Sequence, residues 1–368
     1  MCIKTIFALL LLLLAITMQP AAGGRMTNRT PEWHKSGRDV LKGFGNMYNP
    51  HVVQVPDGAY PFRMWLFGWA AADCNPGYPG CDAIFVARGK SLDEWEVYAG
   101  KGKWDGKMDP TSWVPVVTAG DSIFDAWHNG DPSVVLKDGV YYMLYSSTGP
   151  NLDGLLDNTP GNKDHDLCCI MGATSVDGIH WSKSKRPLLI HAPDIADRGG
   201  VKSNAHVLGQ YHRPSLMFDG GKWKCWFDCW TGTDVAMGYA ECPADRFLDP
   251  VAWRILRAGD NPVLHNWPNP DVVKVGRDYY SYADPQGFHG SHPWIGRRIC
   301  EAVSADGVNW NVLGHILPDA NTSATHVPEA LVINEKERTK IIVFYSCQVG
   351  GEPYDFRYNR IRYMSRPK

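Results

Sequence analysis

One five-residue pattern recurs five times along the chain: NPHVV at Asn49, DPSVV at Asp131, RPSLM at Arg213, NPDVV at Asn269 and VPEAL at Val327, at intervals of 82, 82, 56 and 58 residues. After each X-Pro step comes an alternating apolar run, a short turn and a second run rich in aromatic residues: FRMWLFGW from Phe62, VYYMLYSS from Val140, KWKCWFDC from Lys222, DYYSYAD from Asp278 and KIIVFYSC from Lys340. Alternation broken by a tight turn is the pattern of a β-hairpin. A third run follows in each unit: AIFVARG from Ala83, CIMGATS from Cys169, VAMGYAE from Val235, ICEAVSA from Ile299 and RIRYMSR from Arg360. One such antiparallel unit cannot bury both of its faces, whereas a ring of them can. The repeat therefore predicts an all-β chain, a five-bladed β-propeller with blades of three to four strands starting near residues 49, 131, 213, 269 and 327. The last unit ends at its third strand, so the segment around Trp33 to Leu41 is expected to supply the outer strand and close the ring.

Loop lengths distinguish the two ends of such a ring. Turns between first and second strands are short, as in Lys137-Asp138-Gly139 and Asp219-Gly220-Gly221. Connections between second and third strands are long in most blades: Ala70 to Asp82, Thr148 to Leu167, Asp284 to Arg298 and Gln348 to Asn359. These lie at the same end as the X-Pro steps, and function is expected there, where variable loops stand on a fixed scaffold.

Side chains alternate along a strand, so the residues just before and just after each proline are expected to share one side. Before it stand Asn49, Asp131, Arg213, Asn269 and Val327, and after it His51, Ser133, Ser215, Asp271 and Glu329. If that side faces the axis, three carboxylates, Asp131, Asp271 and Glu329, converge with Arg213 and His51 in one funnel. Neighbouring desolvated carboxylates separate in pKa. Cleavage of a glycosidic bond needs this: one carboxyl group protonates the leaving oxygen while an ionised one activates water or attacks the anomeric carbon. Asp131 is the leading catalytic candidate, Glu329 the candidate acid and Asp271 its competitor as acid or base. The plainer reading of each is an acid that caps a turn or pairs with Arg213. Substrate contacts are expected from Asn49, His51, Asp73, Trp127, His128, His212, Arg213, Trp230, Asn269, Asp284 and His326, with Trp69, Asp228, Gln286 and Gln348 also near long-loop ends. His212, His326, His289 and His292 come without a second ligand motif, so no metal centre is assigned. No cofactor is required, although the central channel has room for a structural cation.

The formal charge of −2, from 37 basic and 39 acidic residues, offers no field for gripping nucleic-acid phosphates. Fifteen tryptophans and 16 tyrosines would serve both a large core and sugar-stacking platforms. The opening MCIKTIFALLLLLLAITMQPAAGG has a basic start, an apolar run too short to span a bilayer and small residues at its end. Residues 1–23 are read as a cleaved export signal, with an uncleaved anchor as the alternative, and 24–368 as a single propeller domain, secreted or periplasmic. In an oxidising compartment Cys74 and Cys81 form the most natural disulfide, while Cys225 and Cys229 read as core or a lone bridge. Asn28 and Asn321 begin glycosylation sequons.

The stretch GDPSVVLKDGVYYMLYSS and the turns SVDGIHW at Ser175 and SADGVNW at Ser304, weakly echoed by SLDEWEVY at Ser91, resemble the five-bladed β-propeller glycoside hydrolases, the superfamily that includes families 43, 32, 68, 117 and 130. The likeness covers nearly the whole chain after about residue 45. It implies an exported hydrolase acting on a poly- or oligosaccharide. In family 43 an aspartate before the blade 1 proline is the base, and here Asn49 stands there. The acid of that family lies in Glu-Gly-Pro, whereas here the steps read His212-Arg213-Pro214 and Val327-Pro328-Glu329. Asp131 suits the aspartate that tunes the acid in family 43, or the acid of the family 130 mannoside phosphorylases, in which phosphate replaces the base and His212 with Arg213 would bind it. The competing readings are such a phosphorylase, a carbohydrate-binding propeller without catalysis, and a protein-binding scaffold.

Overall fold

In the computed structural model, which describes residues 32–43, 46–70, 81–150, 166–190, 211–230, 234–256, 262–285, 297–316, 322–335, 338–349 and 358–368, each of the five repeats folds into its own antiparallel sheet. Blade 1 runs Tyr48–Gln54, Phe62–Trp69, Asp82–Gly89, Trp95–Tyr98 and Trp104–Asp105; blade 2 runs His128–Lys137, Val140–Pro150, Asp166–Ser175 and Ser182–Lys183, with Leu189–Ile190 also paired to its third strand. Blade 3 comprises His212–Asp219, Lys222–Trp230, Val235–Pro243 and Arg254–Ile255, and blade 4 comprises Asp271–Val275, Asp278–Ala283, Cys300–Ser304 and Asn311–His315. Blade 5 takes Thr322–Glu335, Arg338–Val349 and Arg360–Pro367, and its fourth strand is His34–Lys35. His34 pairs with Ser365 and Leu41 bridges Ile361, so the segment before the first repeat closes the last. Three of the sheets have four strands, as expected, and blades 1 and 2 have five. The helical segments in the described residues are short 3-10 turns such as Pro110–Ser112 and Pro250–Ala252, and no helix there is long and apolar enough to cross a membrane. The leader and both sequon asparagines lie outside the described residues.

Alternation gives every blade two apolar faces, and each face is buried against a neighbour. Trp65, Ile84 and Val86 of blade 1 pack on Tyr141, Met143 and Tyr145 of blade 2. Leu144 and Ile170 meet Trp223, Cys225 and Phe227, and Trp226 and Tyr239 meet Tyr279 and Ala302. Tyr282 and Ile299 meet Val343 and Tyr345, while Phe344 and Tyr363 meet Met64 and Phe85 and complete the circuit. Burial of one such large side chain contributes roughly 1.5–3 kcal/mol, so the inter-blade seams are the core. Cys225 and Cys229 are buried free thiols in the second of these seams, and Cys81 is disulfide-bonded, with Cys74 outside the described residues.

The two S-x-D-G-x-x-W turns join blades. Ser175 Oγ accepts the Asp177 and Gly178 N–H groups, Asp177 Oδ1 accepts those of Ile179 and His180, and Gly178 takes φ = 75°. Its carbonyl then accepts the indole N–H of Trp181 at 3.1 Å and that of Trp65, from the preceding blade, at 2.9 Å. Gly307 accepts from Trp310 and from Trp226 of blade 3 in the same way, at 3.1 and 2.7 Å.

The five residues before the prolines share one conformation. Asn49, Asp131, Arg213, Asn269 and Val327 all have φ between 45° and 53°, and the register slips by a bulge at this point in blades 1, 2, 3 and 5. A following proline bars the right-handed helical region, and the left-handed one costs a non-glycine residue about 1–2 kcal/mol. The conformation persists because neighbouring blades hold it. The bulge breaks the alternation expected across each proline. The residues before and after it therefore occupy two successive layers along the axis, not one line.

Candidate active site

The layer formed by the residues after the prolines is a hydrogen-bonded girdle. His51 Nε2 meets the Val134 carbonyl at 2.9 Å, Leu216 N–H donates to Ser133 Oγ and Val272 N–H to Ser215 Oγ, both at 2.9 Å, and Ala330 N–H donates to Asp271 Oδ2 at 2.6 Å. Each contact ties one blade to the next, and the circle closes where Glu329 Oε2 meets His51 Nδ1 at 2.7 Å. Ser215 Oγ also donates to Asp271 Oδ1 at 2.7 Å, so both oxygens of Asp271 are committed. Since His51 Nε2 faces a carbonyl it carries the hydrogen, and a neutral ring then accepts at Nδ1 from a protonated Glu329. The electrostatics agree. Burial holds the His51 imidazole below its usual range against the opposing charge of Asp271, and burial with the charges of Asp271 and Asp131 pushes Glu329 well above the usual carboxylate range. The ligand atoms of His51, Asp271 and Glu329 lie within 4.8 Å of one another, and one imidazole with two carboxylates is a donor set that suits a divalent cation. Both Asp271 oxygens and the Glu329–His51 pair are already bonded within the girdle, so no cation is assigned to the three. Beyond them a well of about 410 Å³ runs between the first strands to Asp219 and Lys274 at the short-turn end.

The layer formed by the residues before the prolines is different in kind. Asp131 is wholly buried, and neither carboxylate oxygen has a hydrogen-bond partner among the described residues. It is held by charge alone, with His128 Nε2 at 3.6 Å and Arg213 Nε at 3.7 Å. Burial would raise its pKa, but Arg213 and then His128 outweigh burial and hold the carboxyl well below the usual range. His128 is also bound through Nδ1 to Asp82 at 3.0 Å; burial would lower its pKa, yet Asp131 and Asp82 raise it to about 9. The ring lies between Phe67, at 5.1 Å, and a nearly parallel His212, at 5.8 Å. Burial and Arg213 press His212 down to about 3.

Arg213 is the pivot of this layer, since its Nη1 donates to Asp228 Oδ2 at 3.2 Å while its Nε faces Asp131. Asp228 also accepts the Asn269 N–H through Oδ1 at 2.6 Å. Burial raises its carboxyl to about 7, with Arg213 and the Asn269 N–H opposing and Asp284 adding to the rise. Asp284, raised by burial, accepts from the Asn269 amide, from Val327 N–H at 3.1 Å and from Arg297 at 3.2 Å. Besides Asp131, atoms here that are buried without a hydrogen-bond partner among the described residues include His128 Nε2, His212 Nε2, Arg213 Nε, Asn269 Oδ1 and Asp82 Oδ1. Buried polar atoms are nearly always paired, so a group of them in one layer marks a place built for something else to bind.

The expected residues therefore divide. Asp131, His128, His212, Arg213, Asn269 and Asp284 meet in the upper layer, and His326 joins them edge-on to Tyr48 at 6.5 Å, its pKa lowered to about 3 by burial and Arg297. Asp271, Glu329 and His51 belong to the girdle, and Asn49, whose amide donates to the Pro132 carbonyl at 3.0 Å, stands in the upper layer beside the first blade gap. Trp127 is half-buried at the start of blade 2, and Gln348 donates to Asn359 Oδ1 at 2.8 Å. Asp73, Gln286, His289, His292 and the Trp230 side chain lie outside the described residues. Tyr48, Asp82 and Arg297 were not expected. Tyr48 directly precedes an X-Pro step and could have been read from that spacing, whereas Asp82 and Arg297 sit at the ends of long connections with no motif around them.

No family model and no curated relative matches the chain. Among solved structures it is similar to a thermostable family-43 glycoside hydrolase, with 14% identity over 90% of this chain and 91% of that one, TM-score 0.53. It is also similar to Zg3597, a family 117 glycoside hydrolase from the marine bacterium Zobellia galactanivorans, with 14% identity over 91% and 89%, TM-score 0.58. A third is an N-acetylgalactosamine deacetylase from F. plautii in complex with blood group B trisaccharide, with 14% identity over 91% and 95%, TM-score 0.56. The chain thus has the five-bladed β-propeller fold on which these glycoside hydrolases are built.

Proposed function

We propose that this protein is an exported glycoside hydrolase whose catalytic carboxylate is Asp131. The observation that carries the reading is the state of that residue: buried, ionised, central, and with neither oxygen satisfied by the fold. Asp228, Asp284 and Asp271 each lend oxygens to a neighbouring blade. Among the described residues Asp131 alone of these acids has both oxygens uncommitted. An ionised carboxylate here serves as base, nucleophile or counter-charge to an oxocarbenium-like transition state. The proton donor is then Asp228, across the Arg213 guanidinium, where two carboxyl groups held apart in pKa flank one cation. His128, His212 and Asn269 supply the atoms that bind sugar hydroxyls.

The test is product analysis on a panel of poly- and oligosaccharides. Asp131→Asn and Asp228→Asn are each expected to lose at least ~100-fold in turnover, with melting temperatures near that of the parent, and the parent's rate should fall above about pH 7 as Asp228 ionises. Retention of a tenth of the activity by Asp131→Asn removes it from the chemistry. One observation favours a second reading, a sugar-binding propeller without catalysis: Asn49 and His212 stand where the resembled family 43 carries its base and acid. That reading predicts saturable glycan binding and no release of reducing ends on long incubation.

A further inference from the structure

Outside both axial layers, a cavity of about 370 Å³ is lined by Lys42, Gly43, Lys107, Met108, Tyr358, Asn359 and Arg360. Its size is at the lower end of small-ligand sites. Lys42 leads into the first strand of blade 1 and Arg360 opens the third strand of blade 5, so the cavity belongs to the end of the molecule where the X-Pro steps and long connections lie. Among the described residues its lining contains no acidic one. Arg360 reaches Asp39 at 3.3 Å, a carboxylate shared with Arg362 at 2.8 Å, and Asp105, whose Oδ1 accepts the Lys107 N–H at 2.8 Å, is also bonded through Oδ2 to the Asp109 N–H and to the Trp113 indole. Lys42 and Lys107 have no ion-pair partner among the described residues, although the chain as a whole carries a formal charge of −2. Asn359 is 1% exposed, its Oδ1 accepts from Gln348, and its Nδ2 is buried with no acceptor among the described residues. The side-chain groups offered by Lys42, Lys107, Arg360 and the Asn359 amide are thus all donors, one of them an unsatisfied buried one.

We propose that this cavity binds the anionic group of an acidic saccharide, a carboxylate or a sulfate ester, and that the carbohydrate ligand of the protein is an acidic glycan. Donors without acceptors recognise anions, and a guanidinium with two ammonium groups matches either oxyanion. Neutral sugar hydroxyls would bring no counter-charge to the Lys42 and Lys107 ammonium groups. This rests on the carbohydrate reading above only for the identity of the ligand that carries the anion.

Affinity electrophoresis of the full chain tests it, in gels containing polygalacturonate, a sulfated galactan or a neutral arabinan. Polygalacturonate, the sulfated galactan or both should retard the parent at least tenfold more strongly than arabinan, and the two acidic arms separate a carboxylate site from a sulfate site. The double variant Lys42→Glu/Lys107→Glu, at exposed positions that leave the fold intact, should lose that retardation while keeping its melting temperature. No preference for either acidic glycan, or a preference that survives the double variant, overturns the proposal. If acidic retardation is lost in the variant while no glycan on the panel is cleaved by the parent, the anion site stands and the hydrolase reading fails.

Discussion

His128 carries a charge that the fold itself makes. Two carboxylates, Asp82 at 3.0 Å and Asp131 at 3.6 Å, bracket its ring, and its pKa rises to about 9 although burial alone would lower it. A raised histidine pKa stabilises the folded state most fully below the unfolded value near 6.5, and that contribution is lost as pH rises through about 9. The loss is on the order of 3 kcal/mol. Urea midpoints of the parent should therefore fall between about pH 6.5 and 9, and His128→Gln should flatten that limb. An unchanged limb in the variant would show that His128 is not held protonated. His212 has the opposite sign: its pKa is lowered to about 3, so its contribution is present above about 6.5 and lost as pH falls towards 3. His128, Arg213 and Asp131 were legible as site residues because the X-Pro repeat pointed at them. Asp82 was not, since it reaches His128 from another blade, and no local pattern records a contact 46 residues away.

The turns Ser175–Trp181 and Ser304–Trp310 show how a short motif becomes a joint between blades. Gly178 and Gly307 stand at φ = 75° and 81°, and a Cβ on either would come within 2.8 Å of Trp65 or Trp226 of the neighbouring blade. Gly178→Ala and Gly307→Ala should each cost about 1–2 kcal/mol from the left-handed backbone and more from displacement of a tryptophan whose indole bonds the same glycine. Chemical denaturation checks this, and a cost below ~0.5 kcal/mol would mean that the joint is loose. The hairpins and third strands were readable because apolar alternation and Asp-Gly turns are local signals. The bulge was not. An X-Pro step announces that its first residue avoids the right-handed region, but only the packing of adjacent blades selects the left-handed one. For that reason Asp131, Asp271 and Glu329, expected in a single funnel, fall into two layers.

At the scale of the molecule, closure decides whether there is a site at all, since both layers need all five blades. Leu41 is fully buried in the seam between blades 5 and 1, beside Val40, Phe344, Ile361 and Phe85. Leu41→Ala should cost about 2–5 kcal/mol, as for a core leucine, although Leu41 lies outside every repeat. A cost near zero would show that the ring holds without this segment. The pairing of His34 with Ser365 has a temporal consequence as well. A strand that leaves the ribosome before any blade must wait, unpaired, until the fifth blade has followed it out. Until then the growing chain presents a free edge at each end, so a chaperone that shields such edges would govern how much of this protein survives its own birth.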